Sequence, residues 1–394
     1  MSQSKSVILS AKRTPIAAFQ GAFKTLQAPV LGGAALKAAV EDAGIDASSL
    51  DEVIMGCVLT AGMGQSPARQ AMLNAGIPEK VGSLTVNRVC SSGSKAVMIA
   101  DQMIRAGDAK LVAAGGMESM TSAPYILPKA RAGLRLGDAA IVDSMVHDGL
   151  WDAHTDKHMG TCAEMCADKY SLDRAAQDAF ALESYERAQK AIESGVLKDE
   201  IVPVEVIGRR KTVTLVDADE EPGRLDKEKV KTLKTPFKKE GSITPANASS
   251  ISDGAAALVV ASEEFAQEKG LKPIARIVAH GGFSHQPEWF TTAPVGAIKN
   301  VLEKAGWKPG DVDLWEINEA FSCVPLAAAK EFELDMKRVN IHGGAVALGH
   351  PIGCSGARIL VTLVHAMQHE GAKKGMIAIC NGGGEATAIA IEMI

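Results

Sequence analysis

A chain of 394 residues with 46% hydrophobic and 23% charged residues is long enough for two or three domains with sizeable cores. Its formal net charge of -5 argues against a nucleic-acid binder, and no uninterrupted apolar stretch reaches the roughly 18 to 20 residues a bilayer crossing needs, so no membrane span is expected. Residues 1–6 run directly into the strand-like Val7-Ile8-Leu9 without a basic leader or apolar signal core, and seven cysteines show no framework spacing. The expectation is a cytoplasmic chain with reduced thiols.

In chain order, Ala35-Leu36-Lys37 through Glu41-Asp42-Ala43-Gly44 predicts a helix stopped by glycine, and Asp51-Glu52-Val53-Ile54 a strand. Asn87-Arg88-Val89-Cys90-Ser91-Ser92-Gly93 then sets Cys90 between a strand-like run and a helix beginning at about Ser94. A thiol at a helix N-terminus faces unpaired N–H groups and the positive end of the dipole, which favour thiolate and lower its pKa. A lone cysteine there also reads as a small buried hydrophobe. After the strand Lys110 to Gly116 the texture changes: Thr121 to Ser249 contains Pro124, Pro128, many charges and the strongly helical Arg174 to Ser194. It reads as an insertion laid over the first half, where a substrate cover or subunit contact would sit. The apolar run Asp253 to Ala261 predicts a strand returning to the first half.

The pattern then repeats. Ala297-Ile298-Lys299, Glu303-Lys304-Ala305-Gly306 and Asp313-Leu314-Trp315-Glu316 match the opening helix, turn and strand at one constant offset. Ser355-Gly356, a helix, Gly371 and Gly375 to Gly382 match Ser92-Gly93, a helix, a glycine and Lys110 to Gly116. Two duplicated halves alternating apolar strands with amphipathic helices imply an α/β fold of helices packed on sheets.

Three motifs in the second half hang reactive side chains on strand ends beside glycines: Asn318-Glu319-Ala320-Phe321, Gly349-His350-Pro351-Ile352-Gly353 and Cys380-Asn381-Gly382-Gly383-Gly384. Taken singly, His350 reads as a structural histidine, Cys380 as a buried core thiol and Asn318 as the cap of a helix beginning near Glu319. One tempting pattern fails: His154, His158, Cys162 and Cys166 recur every four residues, but twelve helical residues rise roughly 18 Å. No single metal ion can gather all four, and no metal site is expected.

Together with the Cys90 motif, in this order, these motifs closely resemble the thiolases along essentially the whole chain, most of all their acetyl-CoA acetyltransferase branch. The resemblance implies a five-layer αβαβα fold: one half from residues 1–120 plus about 250–271, an inserted loop domain over 121–249, and a second half over 272–394. It implies 2 acetyl-CoA ⇌ acetoacetyl-CoA + CoA by ping-pong chemistry in a homotetramer. CoA thioesters are the substrates and no cofactor is needed.

Such a condensation needs a nucleophile for one acyl group and a base for an α-proton of the other. Cys90 would hold the acyl group, His350 would activate it, and Cys380, a sulfur base tuned near ambient pH, would move the proton. Oxyanions at two positions need donors. By resemblance, Asn318 holds a water that serves the enolate together with His350, and the N–H groups of Cys90 and Gly382 serve the acyl intermediate. Leu150, His158, Met159, Arg224, Phe237, Ala248 and Ser249 match positions contacting the pantetheine or nucleotide of CoA, and Phe290 and Ala320 join the pocket.

His158-Met159 and Met117-Glu118-Ser119-Met120 look like the short-chain branch. Pro222 stands where potassium-responsive members carry a tyrosine ligand, so that ion is not carried over. Phe290-Thr291 leaves acceptance of 2-methyl-branched substrates open, and His342 is commoner in degradative relatives. A longer-chain degradative thiolase and a non-catalytic lipid-binding or scaffold protein on this frame remain the alternatives.

Overall fold

The computed structural model describes residues 5–208 and 211–394; residues 1–4, read above as entering the first strand, lie outside them. Ten strands form the main sheet: β1 Ser6–Arg13, β2 Ala17–Ala18, β3 Glu52–Gly56, β4 Gly82–Val86, β5 Leu111–Ser119, β6 Ser252–Ser262, β7 Ala275–Ser284, β8 Leu314–Ile317, β9 Lys374–Asn381 and β10 Glu385–Met393. Their order is β8-β9-β10-β7-β1-β6-β5-β3-β4, with β2 on the side of β6.

The duplication is visible in that order. In each half the first strand (β1 or β7) pairs antiparallel with the last (β6 or β10). The last is antiparallel to β5 or β9, which runs parallel to β3 or β8. Within the sheet the halves join where Val7 opposes Arg276 and Ile8 opposes Ala275. Even single hydrogen bonds recur. Asp51 Oδ2 accepts from the N–H groups of Lys110 and Leu111, and Asp313 Oδ2 from those of Lys373 and Lys374, so each carboxylate ties together two parallel strands.

Helices α1 Ala28–Asp42 and α2 Pro67–Asn74 cover the outer face of the first half, and α3 Ser92–Ala106 its inner face. From the insertion come α4 Met159–Tyr170 and α5 Arg174–Ser194; the second half supplies α6 Ala293–Ala305, α7 Cys323–Phe332 and α8 Ile352–Glu370. Alternate residues of a strand point to opposite faces, so Val53 and Met55 enter the α1/α2 core while Ile54 enters the central one. In the same way Met376 and Ala378 meet α6 and α7, and Ile377 meets α8. Two outer cores and one central core around the middle helices fill the four interfaces of a five-layer αβαβα arrangement, as expected. Residues 352–367 of α8 are all buried, Arg358 and His365 included, as a helix enclosed in a middle layer must be.

The paired Ser-Gly motifs explain how α3 and α8 approach. A Cβ on Gly93 would lie 2.7 Å from the Ala357 N, and one on Gly356 2.5 Å from the Ser94 N. Only glycine at both positions lets the two helix N-terminal turns touch. The loops entering those helices carry Cys90 and His350, so the crossing brings together residues far apart in sequence. Both helices then stop at matched glycines in the left-handed region, Gly107 (φ 86°) and Gly371 (φ 65°).

One local expectation fails. Asn318 does not cap a helix near Glu319: residues 319–322 turn without helix, and α7 begins at Cys323 behind Ser322. Pro325 lies within the first turn of α7, where a missing N–H costs nothing, so the helix start is displaced toward it.

Candidate active site

Cys90 sits at the tip of a sharp turn. Val89 just before it adopts φ 47°, a left-handed conformation that costs a β-branched residue on the order of 1–3 kcal/mol. Side chains on both sides hold it there. Asn87 Oδ1 accepts from the Val89 N–H at 3.0 Å, while Ser92 Oγ accepts from the Arg88 N–H at 2.8 Å and donates to the Val89 carbonyl at 2.6 Å. Ser91 Oγ donates to Asn381 Oδ1 at 2.7 Å, tying this turn to the loop after Cys380.

The helix-terminus argument for a lowered thiol pKa is overturned. α3 starts at Ser92, leaving Cys90 one residue outside its cap. Loss of water around the sulfur dominates and pushes the thiol up to about 12, opposed by hydrogen bonding from the Gly382 backbone and from its own. Cys380, fully buried near the end of β9, is pushed well above its ordinary value by burial and by the neighbouring Cys90, not tuned near ambient pH. Both shifts favour the thiol form in the free protein.

His350 precedes α8 and is buried. Gly349, at φ 104°, makes the turn, and a side chain there would strike Ser252. The His350 N–H donates to the Ser250 carbonyl at 3.0 Å. Its Nδ1 is 2.5 Å from Ser355 Oγ, which donates onward to the Pro351 carbonyl at 3.0 Å, and its Nε2 is 3.4 Å from Asn318 Nδ2. Burial, reinforced by the Arg358 charge, pushes the imidazole down to about 3, so it is a neutral base at physiological pH. Glu118 braces the same region: its carboxylate accepts from the N–H groups of Val58 (3.0 Å), Leu59 (3.2 Å) and Gly353 (2.9 Å).

Cys90, His350 and Gly382 share the wall of one cavity of about 410 Å3. Leu150, His158, Met159, Phe237, Ala248, Ser249, Phe290 and Ala320 also line it. His158 stacks on Phe237 with ring centroids 4.8 Å apart; its Nδ1 accepts from Gly160, which caps α4. His154 lies outside that helix, so the four-residue His/Cys spacing is not a helical stripe. Asn318 reaches the site through His350, while Cys380 lies off the cavity wall. Arg224 is not brought to the cavity: it pairs with Glu220 at 2.7 Å and Glu221 at 3.6 Å. His342 lines a different cavity.

Sequence reasoning missed Ser355 as a partner of His350, although its repetition of Ser92 was a usable signal. It also missed Met120, Ser250, Ile251 and Phe321 on the cavity wall.

Family models for the thiolase N-terminal domain and the thiolase C-terminal domain match residues 6–264 and 271–393. This chain belongs to the thiolase family. It is 49% identical to an acetyl-CoA acetyltransferase of Schizosaccharomyces pombe over 98% of both chains. It is also 49% identical to acetyl-CoA acetyltransferase 1 of Arabidopsis thaliana over 98% of this chain and 94% of that one. Among solved thiolase-fold structures it resembles the Bacillus anthracis acetyl-CoA acetyltransferase with a TM-score of 0.97 and 42% identity, covering 100% and 99% of the two chains. It resembles the Acat5 thiolase of Ascaris suum in complex with coenzyme A with a TM-score of 0.94 and 45% identity, covering 99% and 100%.

Proposed function

We propose that this thiolase is an acetyl-CoA C-acetyltransferase interconverting two acetyl-CoA with acetoacetyl-CoA and CoA. The supporting observation is the mostly apolar cavity lined by Cys90, His350 and Gly382 together. The bulky, nearly buried Met159 and Phe290 narrow it, which favours a short acyl group.

His350 Nε2 takes the Cys90 proton as the sulfur attacks the acetyl carbonyl, so thiolate forms only during attack. The Cys380 thiol protonates the departing CoA sulfur, leaving acetyl-Cys90, an imidazolium and a Cys380 thiolate. Its raised proton affinity makes that thiolate a strong base toward the α-proton of the second acetyl-CoA. The enolate oxygen is met by protonated His350 and by a water held by the Asn318 amide. Attack on acetyl-Cys90 forms a C–C bond and an oxyanion facing the Cys90 and Gly382 N–H groups; collapse expels the Cys90 sulfur, which recovers its proton from His350. The cycle uses no metal or redox cofactor.

Leu150, His158, Phe237, Ala248, Ser249 and Ala320 are the proposed thioester-arm contacts. Arg224, paired with two glutamates, is not retained as a phosphate contact. A homotetramer is also proposed, supported by exposed Tyr125, Leu134, Leu136 and Ile141 on one segment of the insertion. Exposure to acetyl-CoA should add one acetyl group to Cys90 by intact mass and peptide mapping and none to Cys90→Ala; a wild-type protein that stays unmodified would overturn the reading.

A further inference from the structure

A second cavity, of about 740 Å3, shares no lining residue with the catalytic one. It lies between the C-terminal ends of α5 and α8 and the turn Met336–Arg338. Five cationic side chains line it: Arg187, Lys190, Lys337, Arg338 and Lys373. The opposing carboxylates are Asp313 and Glu370, and Asp313 is already engaged by the Lys373 and Lys374 backbone N–H groups at 2.8 and 2.9 Å. Arg187 is paired with Glu183, whereas among the described residues Lys190, Lys337, Arg338 and Lys373 have no ion-pair partner, in a chain whose net charge is -5.

A solvated charged face is the ordinary fate of surface lysines. Here the cations converge on a concavity of ligand size, and its wall is braced. Arg187 donates from Nη1 to the Val339 carbonyl at 2.5 Å and from Nη2 to the Met336 carbonyl at 2.9 Å. The Asn340 amide holds both the N–H and the carbonyl of Ile317 at 2.8 Å. Lys337 and Arg338 therefore project from a turn fixed at both ends. The two helix C-termini contribute negative potential, which disfavours a single small anion. Several cations acting together on a multivalent anion overcome it, with the guanidinium of Arg338 offering a fork to phosphate oxygens.

We propose that this cavity is a second ligand site, for a small molecule carrying two or more adjacent phosphate groups. The less polar wall of Val196, Ile341 and Ala372 has room for an attached organic group.

The test is calorimetric titration of the full chain with pyrophosphate and with ADP, in excess pantetheine, which enters the catalytic cavity and carries no phosphate. Both should bind to the wild type and to the control Lys272→Glu. Binding should weaken at least tenfold in Lys337→Glu/Arg338→Glu, whose acetoacetyl-CoA turnover stays unchanged. Equal affinity for the two probes would place recognition in the phosphates alone, and tighter ADP would add the nucleoside. No binding of either probe, or unchanged binding in the double variant, would overturn the proposal.

Discussion

Ser355 Oγ stands 2.5 Å from His350 Nδ1 while donating its own proton to the Pro351 carbonyl at 3.0 Å. With the single hydroxyl hydrogen assigned to the Pro351 carbonyl, which can only accept, the contact with the ring is donated by the ring. His350 thus carries its proton on Nδ1 and turns the Nε2 lone pair toward Asn318. Ser355 is a positioning residue: it fixes which nitrogen is basic.

Ser355→Ala should lower kcat for thiolysis roughly ten- to a hundredfold, as loss of an orienting partner of a functional histidine does elsewhere. KM for acetoacetyl-CoA should stay within about twofold, because Ser355 touches no part of the cavity. Ser355→Thr, which keeps the hydroxyl, should recover part of the rate. Loss of stability with kcat unchanged would make the serine merely structural.

With its thiol pushed up to about 12, Cys90 should be slow toward iodoacetamide at neutral pH. The sign follows from the direction of the shift: thiolate fraction, and hence alkylation rate, keeps rising from about pH 7 to about pH 10 without levelling. The rate of Cys90 modification in the free protein, followed by peptide mass, checks this. A plateau near neutrality would mean a preformed thiolate and contradict attack coupled to proton transfer.

The contact of α3 with α8 predicts that Gly356→Ala, whose Cβ would lie 2.5 Å from the Ser94 N, costs about 1–3 kcal/mol by denaturant unfolding. It should also depress kcat, because spreading the two helix N-termini separates Cys90 from His350. Gly310→Ala, where a Cβ meets nothing within 4 Å, should do neither. Equal effects of the two would detach catalysis from this crossing.

Much of this architecture is legible in the sequence because it is written twice. The matched helix, turn and strand at Ala35 and Ala297 reappear as α1 and α6, down to the paired carboxylates Asp51 and Asp313. The Cys90 motif was legible as a loop-to-helix junction, whereas His350, read as a strand end, instead lies between the short helix Ala345–Leu348 and α8, and why α3 and α8 each carry Ser-Gly near the N-terminus was not legible. That depends on two helices meeting across the middle layer. The acidity of Cys90 was misread because a helix terminus is visible in sequence, whereas the water a buried sulfur loses is not. The charge of Arg224 is likewise plain in the sequence, but its partners Glu220 and Glu221 become evident only in the fold.

Cys380→Ser should separate the two half-reactions. Acetylation of Cys90 should still be detected by intact mass, while condensation slows by roughly two to four orders of magnitude, the range for loss of a positioned base. Normal condensation by this variant would remove Cys380 from the proton-transfer role.

The most direct test of the short-chain acetyltransferase reading is steady-state thiolysis of acetoacetyl-CoA, 3-ketohexanoyl-CoA and a long-chain 3-ketoacyl-CoA by the purified protein, compared as kcat/KM. A cavity narrowed by Met159 and Phe290 predicts a steep fall after the four-carbon substrate. A flat or rising profile would contradict it and make this thiolase a degradative enzyme of broader chain length.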